Sequence, residues 1–543
     1  MKLSWYLLLL YASLVLAQGP VATEPKIFFL GTLGGISHTA WVIEILDEVR
    51  TRGYNVSYVS NQANEKYIKN YPKVGFIPLQ DPNTSVQFRD FFDLEKPFSK
   101  KAVAVLTTYF KDTYADQVSE YMTLMKTEKP DLMVCDHIAM ACMDVAYHLN
   151  ITVVVTSTVK VRVGKCVAEP ADHFTDESML DSDMDSQSFM GRLKTSYQYA
   201  HERLRILINI WPLDLELQKI RRHMKIRKLR YLTPDSSAVK LFNQMFPLEN
   251  PYPLNANEHY IGPIFLRQPQ PLSNKLASFL DSHKKVVYIA FGQMYTPTQH
   301  EFNALVQALL TNYRHGIIDG FIWATVGLPS SMLDSFQSNR TINSHGFANN
   351  PDFLFEQWVP QYSVLNHTST KLFISHAGTA STHEAVFNGV PILAHPFSSD
   401  QPTNAVQLQK AGVALINDRK TCTAESISKK IKTIMKDRYS EFVTKANELR
   451  GLAHIASRRK ALAADIIEQL ALYSRQGKAW FYQQYEPTYH LFMPSWYKLC
   501  LAYIAFKLGG LGVRTFRQHL SKMAYQTLTQ GRDFTYSQSK KLQ

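Results

Sequence analysis

The chain has 543 residues, 45% of them hydrophobic and 19% charged, and a formal net charge of +13. This length is sufficient for about two or three domains with separate cores, and the composition excludes an intrinsically disordered chain. The positive charge is compatible with nucleic acid, a nuclear address or a membrane surface, and the segments along the chain decide between them.

The N-terminus, residues 1–17, has the composition of a secretory signal peptide. A basic start at Lys2 is followed by an apolar run and a small-residue exit at Val15 and Ala17, the pattern that precedes signal cleavage. A lumenal protein does not meet nuclear partners, so no nucleic acid partner is expected. The basic cluster at residues 219–230 is therefore interpreted as a solvated helix face, with contact to a lumenal membrane surface as the alternative.

In the first half of the chain, buried strands alternate with helices. The runs KIFFL (26–30), YNVSYVS (54–60), DLMVCD (131–136) and ITVVVTS (151–157) predict strands, and a helix is predicted to begin near Ser37. Strands that are apolar on both faces and alternate with helices are typical of parallel sheets covered on both sides.

The second half repeats this pattern in KKVVYIAFG (284–292), GFIWATVG (320–327), KLFISHAG (371–378) and PILAHPF (391–397). The chain is therefore predicted to be α/β, with two doubly wound, Rossmann-like domains followed by C-terminal helices and a membrane segment. The predicted boundaries are 1–17 for the signal peptide, 18–260 for the N-terminal domain, 261–425 for the second domain, 426–490 for the helices, 493–513 for the membrane segment and 514–543 for a basic cytosolic tail.

The segment from Met493 to Val513 is long enough to span a bilayer, but it contains Lys498 and Lys507. Lys507 would lie deep in the bilayer at a cost of roughly 2.5–3.5 kcal/mol, so an interfacial helix is the alternative. Spanning is favoured by the basic tail and by the ending KKLQ, which resembles the di-lysine retrieval signal of endoplasmic-reticulum membrane proteins. We therefore expect an endoplasmic-reticulum membrane protein with its two domains in the lumen.

The five cysteines are odd in number and widely spaced, so neither a disulfide framework nor a zinc site is predicted. A lumenal chain is open to glycosylation at Asn-x-Ser/Thr sites, and a glycoprotein is expected. These sites are Asn55, Asn83, Asn150, Asn339 and Asn366.

Polar side chains lie at the predicted carboxyl ends of strands in both halves. Ligands of doubly wound sheets bind outside these ends. The candidates for binding and catalysis are therefore His38, Asp136, Gln293, His376 and Asp400.

The run that begins at His376 contains a strand end, a tight turn at Gly378 and the start of a helix. Backbone N–H groups at a helix start attract phosphate oxygens, and His376 and Ser381 can donate to the same phosphates. The other parts of a nucleotide-sugar site are Glu384 for the ribose hydroxyls, Trp358 for stacking on the base, and Asp400 with Gln401 for the sugar hydroxyls.

The whole run from Trp358 to Ala405 resembles the donor-binding motif of the UDP-glycosyltransferases. The resemblance implies a GT-B fold with two domains facing a cleft, the acceptor in the N-terminal domain and UDP-sugar in the second. There are two departures from the family pattern: Ala380 stands where many members have Asn, and Gln293 where many have a small hydroxyl residue, so Gln293 is a candidate to rebuild one phosphate contact. The implied contacts are Trp358 and Gln361 with the uracil, Glu384 with the ribose, His376 and Ser381 with the pyrophosphate, and Asp400 and Gln401 with the sugar.

Sugar transfer to a hydroxyl needs a base at the acceptor oxygen, and the ordinary pKa of an imidazole suits His38 to that role. A carboxylate on the other ring nitrogen fixes the tautomer and stabilises the imidazolium, and Asp136 lies at a neighbouring strand end. The GGISH segment and the CD strand end resemble the places where the family keeps its catalytic His and Asp. In-line attack with one base implies inversion at the anomeric carbon.

Two competing motifs are rejected. DSDMD (181–185) contains the Asp-x-Asp pattern of manganese-dependent transferases, but no apolar strand holds it, so it is interpreted as an acidic loop and no metal is expected. GTLGG after the first strand lacks the full Gly-x-Gly-x-x-Gly spacing, and the next strand ends without an acidic residue, which excludes a dinucleotide oxidoreductase. No cofactor is expected, because UDP-sugar is the donor co-substrate.

The predicted function is transfer of a hexose to a hydroxyl of a small lipophilic or lipid acceptor. Glucose is favoured and glucuronate is the alternative. The expected partners are UDP-sugar, the acceptor and a membrane, and formation of a homo-oligomer is left open. The rival hypothesis is a degenerate homologue that binds UDP-sugar or lipid without turnover; Ala380 and Gln293 favour it, and the intact set of candidate residues does not.

Overall fold

The structure is a computed structural model of the protein. It describes residues 24–31, 35–81, 83–84, 100–158, 189–226, 238–245, 248, 254, 256–266, 269–293, 295–332, 334, 350–397, 400–436 and 441–475.

The first sheet has seven parallel strands in the order β3-β2-β1-β4-β5-β6-β7. Its strands are β1 (Lys26–Leu30), β2 (Asn55–Asn61), β3 (Gly75–Leu79), β4 (Leu132–Asp136), β5 (Thr152–Ser157), β6 (Val239–Phe242) and β7 (Glu258–Tyr260). Its helices are α1 (Ile36–Thr51), α2 (Lys100–Glu128), α3 (Met140–Leu149) and α4 (Phe189–His223). Because the strand order reverses between β1 and β4, the chain leaves these two neighbours in opposite directions and opens a crevice at their carboxyl ends.

The second sheet repeats this topology with six parallel strands in the order β10-β9-β8-β11-β12-β13. Its strands are β8 (Val286–Ala290), β9 (Gly320–Ala324), β10 (Phe353–Glu356), β11 (Thr370–Ser375), β12 (Ile392–Ala394) and β13 (Ala414–Ile416). The helices of this half are α5 (Asn274–Ser282), α6 (Gln299–Arg314), α7 (Gln361–Asn366), α8 (Thr379–Asn388), α9 (Gln401–Lys410), α10 (Ala424–Lys436) and α11 (Glu441–Ala456). The strand order here reverses between β8 and β11. The α/β prediction with two doubly wound sheets is confirmed.

Each sheet is covered on both faces by apolar side chains, as its continuous apolar strands require. Along β1, for example, Ile27 and Phe29 belong to one buried cluster, and Phe28 and Leu30 belong to another on the opposite face. The strands of the second sheet divide in the same way.

The chain passes between the two sheets twice. Ile264 packs in the core of the first sheet, whereas Gln270 already contacts the second half of the chain through Trp358. After α11, a short 3-10 turn at Ser457–Arg459 leads into α12 (Lys460–Ser474), which packs on the first sheet. The described residues of both sheets belong to one compact unit, and residues 189–208 of α4 belong to another.

The interpretation of residues 219–230 as a solvated helix face is wrong for Arg221. Its side chain is buried, and Nε donates to Asp144 at 2.7 Å, while the Tyr114 hydroxyl donates to the same carboxylate. The ion pair fixes α4 against α2 and α3, because a buried charge needs a partner. Lys219 and Arg222 are exposed as predicted.

The structure also contains a disulfide between Cys135 and Cys142, which the sequence analysis did not predict. It joins the end of β4 to the first turn of α3. Their Cα atoms lie 5.9 Å apart, within the range of a disulfide. Cys422 is a buried free thiol.

Among the helices in the described ranges, none has the length and apolar character needed to cross a bilayer. The predicted signal peptide and the predicted membrane segment at 493–513 both lie outside those ranges.

Candidate active site

The first part of the site is a histidine–carboxylate pair at the switch point of the first sheet. His38 lies in the first turn of α1, just after β1, and Asp136 is the last residue of the adjacent β4. His38 Nδ1 lies 2.9 Å from Asp136 Oδ2, and the side chains are 19% and 1% exposed. Parallel pairing of β1 with β4 therefore brings together two residues that are almost a hundred positions apart.

The two groups stabilise each other's charged forms. Burial raises the pKa of Asp136, but the charges of His38 and His137 and hydrogen bonds from His38 and the Ile138 N–H outweigh it, and the net pKa is lowered. Burial lowers the pKa of His38, but the charge and hydrogen bond of Asp136 outweigh that effect and raise it above its ordinary value. The pair therefore holds a proton on Nδ1 and leaves Nε2 as the basic atom of the ring.

A carboxylate of the second half also acts on His38. Asp400, at the start of α9, adds a further contribution that raises the His38 pKa. Candidate residues of the two halves are thus close enough to interact electrostatically.

His137, which the sequence analysis did not single out, completes this cluster. Its ring stacks on His38 with centroids 5.4 Å apart and planes 15° apart, and its Nδ1 lies 3.5 Å from Asp136 Oδ1. The sequence could have indicated His137 by its position directly after Asp136, at the carboxyl end of β4. Burial lowers the pKa of His137 to about 4, against the opposing effect of Asp136.

His38, Asp136 and His137 also form a group of donors whose ligand atoms lie within 4.8 Å of one another. An imidazole binds a metal along a lone pair in its ring plane. His38 Nδ1 already shares a proton with Asp136 Oδ2 at 2.9 Å, so neither of these two atoms offers a free lone pair in that direction. The donor set therefore fits a hydrogen-bonded dyad with a stacked ring better than it fits a metal.

At the switch point of the second sheet, His376 follows β11 and lies between two glycines. A Cβ at Gly378 would lie 2.5 Å from His376 Nε2, and a Cβ at Gly292, where φ is +75°, would lie 3.1 Å from it. Only glycine leaves room for the ring at both places. Burial lowers the pKa of His376 to about 4, so the ring is a neutral donor at physiological pH.

The start of α8 is already in contact with a carboxylate. Asp400 Oδ2 accepts from the Thr379 N–H (3.0 Å), from the Thr379 hydroxyl (2.7 Å) and from Asn404 Nδ2 (2.8 Å). The predicted phosphate position and the predicted sugar ligand Asp400 are therefore neighbours. Within the described ranges, all three bonds go to Oδ2, so Oδ1 can accept from a ligand.

Gln361, Ser381 and Glu384 form one hydrogen-bonded group. Gln361 Nε2 donates to Ser381 Oγ at 3.1 Å and to Glu384 Oε2 at 2.5 Å, and the Tyr288 hydroxyl lies 3.4 Å from Gln361 Oε1. Burial raises the pKa of Glu384 to about 7. Ser381 Oγ accepts in this group, so its hydroxyl proton can still be donated to the predicted pyrophosphate.

The remaining predicted residues differ in exposure. Trp358 is 50% exposed, with its indole N–H donating to Gln270 at 3.2 Å, so a ring face is open for stacking. Gln293 is exposed directly after Gly292. Gln401 is buried, and its Oε1 accepts from the Phe397 N–H at 2.8 Å, so it holds the loop that precedes α9.

The same loop is supported by an arginine. The guanidinium of Arg419 lies 4.2 Å from the centroid of the Phe397 ring, and its Nε donates to Glu301 Oε1 at 2.5 Å. Glu301 also closes the capping box of α6 with Thr298. The charge of Arg419 is thus neutralised beside the loop that carries Asp400.

Known proteins are similar to this chain over most of its length. The family model described as "UDP-glucoronosyl and UDP-glucosyl transferase" matches residues 33–451. A UDP-glycosyltransferase of Talaromyces amestolkiae is 28% identical over 476 residues, covering 83% of this chain and 87% of that protein. UDP-glycosyltransferase stmC of Aspergillus ustus is 27% identical over 540 residues, covering 90% and 96%.

A solved structure has a similar fold at low sequence identity. The glycotransferase of kitacinnamycin superposes with a TM-score of 0.57 at 16% identity, covering 82% of this chain and 99% of that one.

Proposed function

The chain belongs to the UDP-glucuronosyl and UDP-glucosyl transferase family and transfers a sugar from a UDP-sugar to an acceptor, and on that premise we propose that it is an inverting hexosyltransferase. The donor is UDP-glucose, with UDP-glucuronate as the alternative, and the acceptor is a hydroxyl of a small lipophilic or lipid molecule. The hydrogen bond of 2.9 Å between His38 and Asp136 is the observation on which the proposal rests.

His38 is the general base in this mechanism. Asp136 occupies Nδ1, so the lone pair of Nε2 accepts the proton of the acceptor hydroxyl as its oxygen attacks the anomeric carbon. The bond from that carbon to the diphosphate breaks, and the electron pair leaves with UDP. The buried Asp136 carboxylate stabilises the imidazolium that forms, without taking the proton itself. Attack opposite the leaving group converts an α-linked donor into a β-glycoside.

The second half of the chain holds the donor. Trp358 stacks on the uracil, and Gln361 contacts the edge of the base. Glu384 accepts from the ribose hydroxyls, and these hydroxyls compete with Gln361 Nε2 for the Glu384 carboxylate. The pyrophosphate lies at the start of α8 beside His376 and Ser381, with Gln293 as a further contact. Backbone N–H groups and a neutral imidazole stabilise the leaving diphosphate.

Asp400 and Gln401 are the sugar contacts in this proposal, and their surroundings favour a neutral hexose. Arg419, whose guanidinium lies against the Phe397 ring, is paired with Glu301, whereas the bonds to Asp400 from the described residues all go to one of its two oxygens. A uronate would add a second carboxylate to this region, and like charges at close range repel. Glucose is therefore preferred over glucuronate.

The test is incubation of purified protein with UDP-glucose or UDP-glucuronate and a panel of lipophilic alcohols, phenols and sterols. Free UDP and glycoside mass are measured. We expect more product from UDP-glucose, and loss of transfer with retained UDP binding in His38→Ala. UDP binding by the wild type without product from any acceptor would favour the degenerate homologue, and full turnover by His38→Ala would remove His38 from the mechanism.

We also propose residence in the endoplasmic-reticulum membrane with both sheets on the lumenal side. The N-terminal signal pattern and the apolar segment 493–513 support it. Alkaline extraction of microsomes separates a spanning segment, which stays in the membrane, from an interfacial helix, which is released. Cleavage of the body by protease in sealed microsomes would overturn the lumenal orientation.

A further inference from the structure

His137 is a titratable side chain beside the dyad that the proposed mechanism does not use. Its backbone N–H donates to the Thr156 carbonyl of β5 at 2.9 Å, which fixes the residue to the neighbouring strand. Its side chain is 12% exposed. Its Nδ1 is buried and has no hydrogen-bond partner in the described part of the chain. The ring is therefore held in place by its backbone and by packing.

The contact between His137 and His38 restricts a rotation of the His38 ring that the hydrogen bond to Asp136 alone would permit. A single hydrogen bond from Nδ1 to Asp136 fixes a point of the His38 ring but permits rotation about that bond. The nearly parallel ring of His137 lies beside His38, with the ring centroids 5.4 Å apart and the planes 15° apart. Ring plane and hydrogen bond together fix the direction in which Nε2 points.

The electrostatics are compatible with this packing in both states of His38. Burial lowers the pKa of His137, and the charge of His38 lowers it further. When His38 carries the proton of the acceptor, His137 thus stays neutral and adds no second positive charge. A neutral ring can remain stacked on an imidazolium throughout the reaction.

We propose that His137 is a positioning residue that holds the His38 imidazole in the plane required for proton transfer from the acceptor hydroxyl. This inference rests on the proposed function, in which His38 is the base. A shift of the base by about 1 Å costs on the order of 100-fold in rate. The contribution of His137 should therefore appear in kcat and not in donor binding.

Two substitutions distinguish the contribution of the aromatic ring of His137 from the contribution of its nitrogen atoms. His137→Phe keeps an aromatic ring of similar width against His38, and His137→Ala removes it. We expect His137→Ala to lower kcat by ~10–100-fold with KM for UDP-sugar unchanged, and His137→Phe to restore kcat to within about threefold of wild type. His315→Ala, at the exposed end of α6, is the matched control and should behave as wild type. Equal kcat in wild type and His137→Ala, or no rescue by His137→Phe in protein with wild-type UDP affinity, would overturn the proposal.

A double-mutant cycle with His38→Ala shows whether the effect acts through the base. Once His38 is absent, adding His137→Ala should change the residual rate by less than about twofold, because coupled residues are not additive. An undiminished effect in that background would contradict a positioning role.

Selective ¹⁵N-histidine NMR tests the inference even when no acceptor is turned over. The Nδ1–H of His38, bound to Asp136, should give a slowly exchanging proton resonance in wild type and in His137→Phe. We expect this resonance to broaden or disappear in His137→Ala, while an unchanged resonance would contradict the proposal. Absence of glycoside from wild-type protein would instead count against the proposed function, so the two failures are distinguishable.

Discussion

At the scale of single residues, the site depends on carboxylates and imidazoles whose pKa values burial and neighbours have shifted in opposite directions. Asp136 and Asp400 raise the pKa of His38, whereas burial lowers the pKa values of His137 and His376 to about 4. Near neutral pH, His38 is therefore the ring of this group that can change its charge. Such divergence among neighbouring groups is typical of sites that transfer protons.

The pH dependence of transfer should report the His38 pKa. A general base must be neutral before it acts, and the His38 pKa lies above its ordinary value of 6.5, so kcat/KM should rise with pH through a midpoint above 6.5. Asp136→Asn removes the main raising effect; the midpoint should move down and the rate should fall by ~10⁴-fold. Initial rates measured across pH give both the midpoint and the rate. The control is Asp281→Asn, at an exposed position, which should match wild type. A profile that is independent of pH would contradict His38 as the base.

Binding of UDP should depend on the ionisation of Glu384. Burial raises the pKa of this carboxyl to about 7, and the ionised form accepts more strongly from the two ribose hydroxyls. UDP affinity should therefore fall as the pH drops below about 7, and binding there should release a proton. Calorimetry in buffers of different ionisation enthalpy measures that proton. Glu384→Gln should bind weakly without this pH dependence, and the exposed Glu448→Gln should match wild type; an unaltered pH dependence in Glu384→Gln would assign the proton elsewhere.

At the scale of secondary-structure elements, the disulfide encloses the segment that carries Asp136 and His137. It ties the end of β4 to the first turn of α3, seven positions apart in sequence. The crosslink restricts the unfolded chain and holds the two functional residues between fixed ends.

Removal of this disulfide should destabilise the protein without affecting the donor site. For a loop of this length we expect Cys135→Ser with Cys142→Ser to lower the free energy of unfolding by about 2–3 kcal/mol. UDP affinity should be unchanged, because the proposed donor residues lie in the half of the chain that forms the other sheet. Urea unfolding and calorimetry are the measurements. Reductant should destabilise the wild type but not the double variant, and equal sensitivity of both would show that another group is responsible.

At the scale of the whole molecule, the sequence was sufficient for four strands of each sheet, because these strands are continuous apolar runs. The same runs placed His38, Asp136 and His376 at strand ends. It could not show which side chains touch. The stacking of His137 on His38, the burial of Arg221 and the bond between Gln361 and Glu384 each depend on distances between separate elements.

The return of α12 to the first sheet should contribute measurably to stability. Ile467 is fully buried in the core of that sheet, whereas Leu472 on the same helix is 49% exposed. Ile467→Ala should lower the free energy of unfolding by about 2–5 kcal/mol. Leu472→Ala, the matched control, should change it by less than about 0.5 kcal/mol. Similar urea midpoints for the two variants would show that α12 is not part of this core.

The two passages of the chain between the sheets also limit how the halves can move. A single connection would permit the two halves to rotate against each other in any direction. There are two connections, one between Ile264 and Gln270 and one at Ser457–Arg459. Two connections define a hinge axis, and rotation of one half against the other is confined to that axis. Opening and closing of the two halves would then follow one repeatable path, and each closure would bring the same residues back opposite one another.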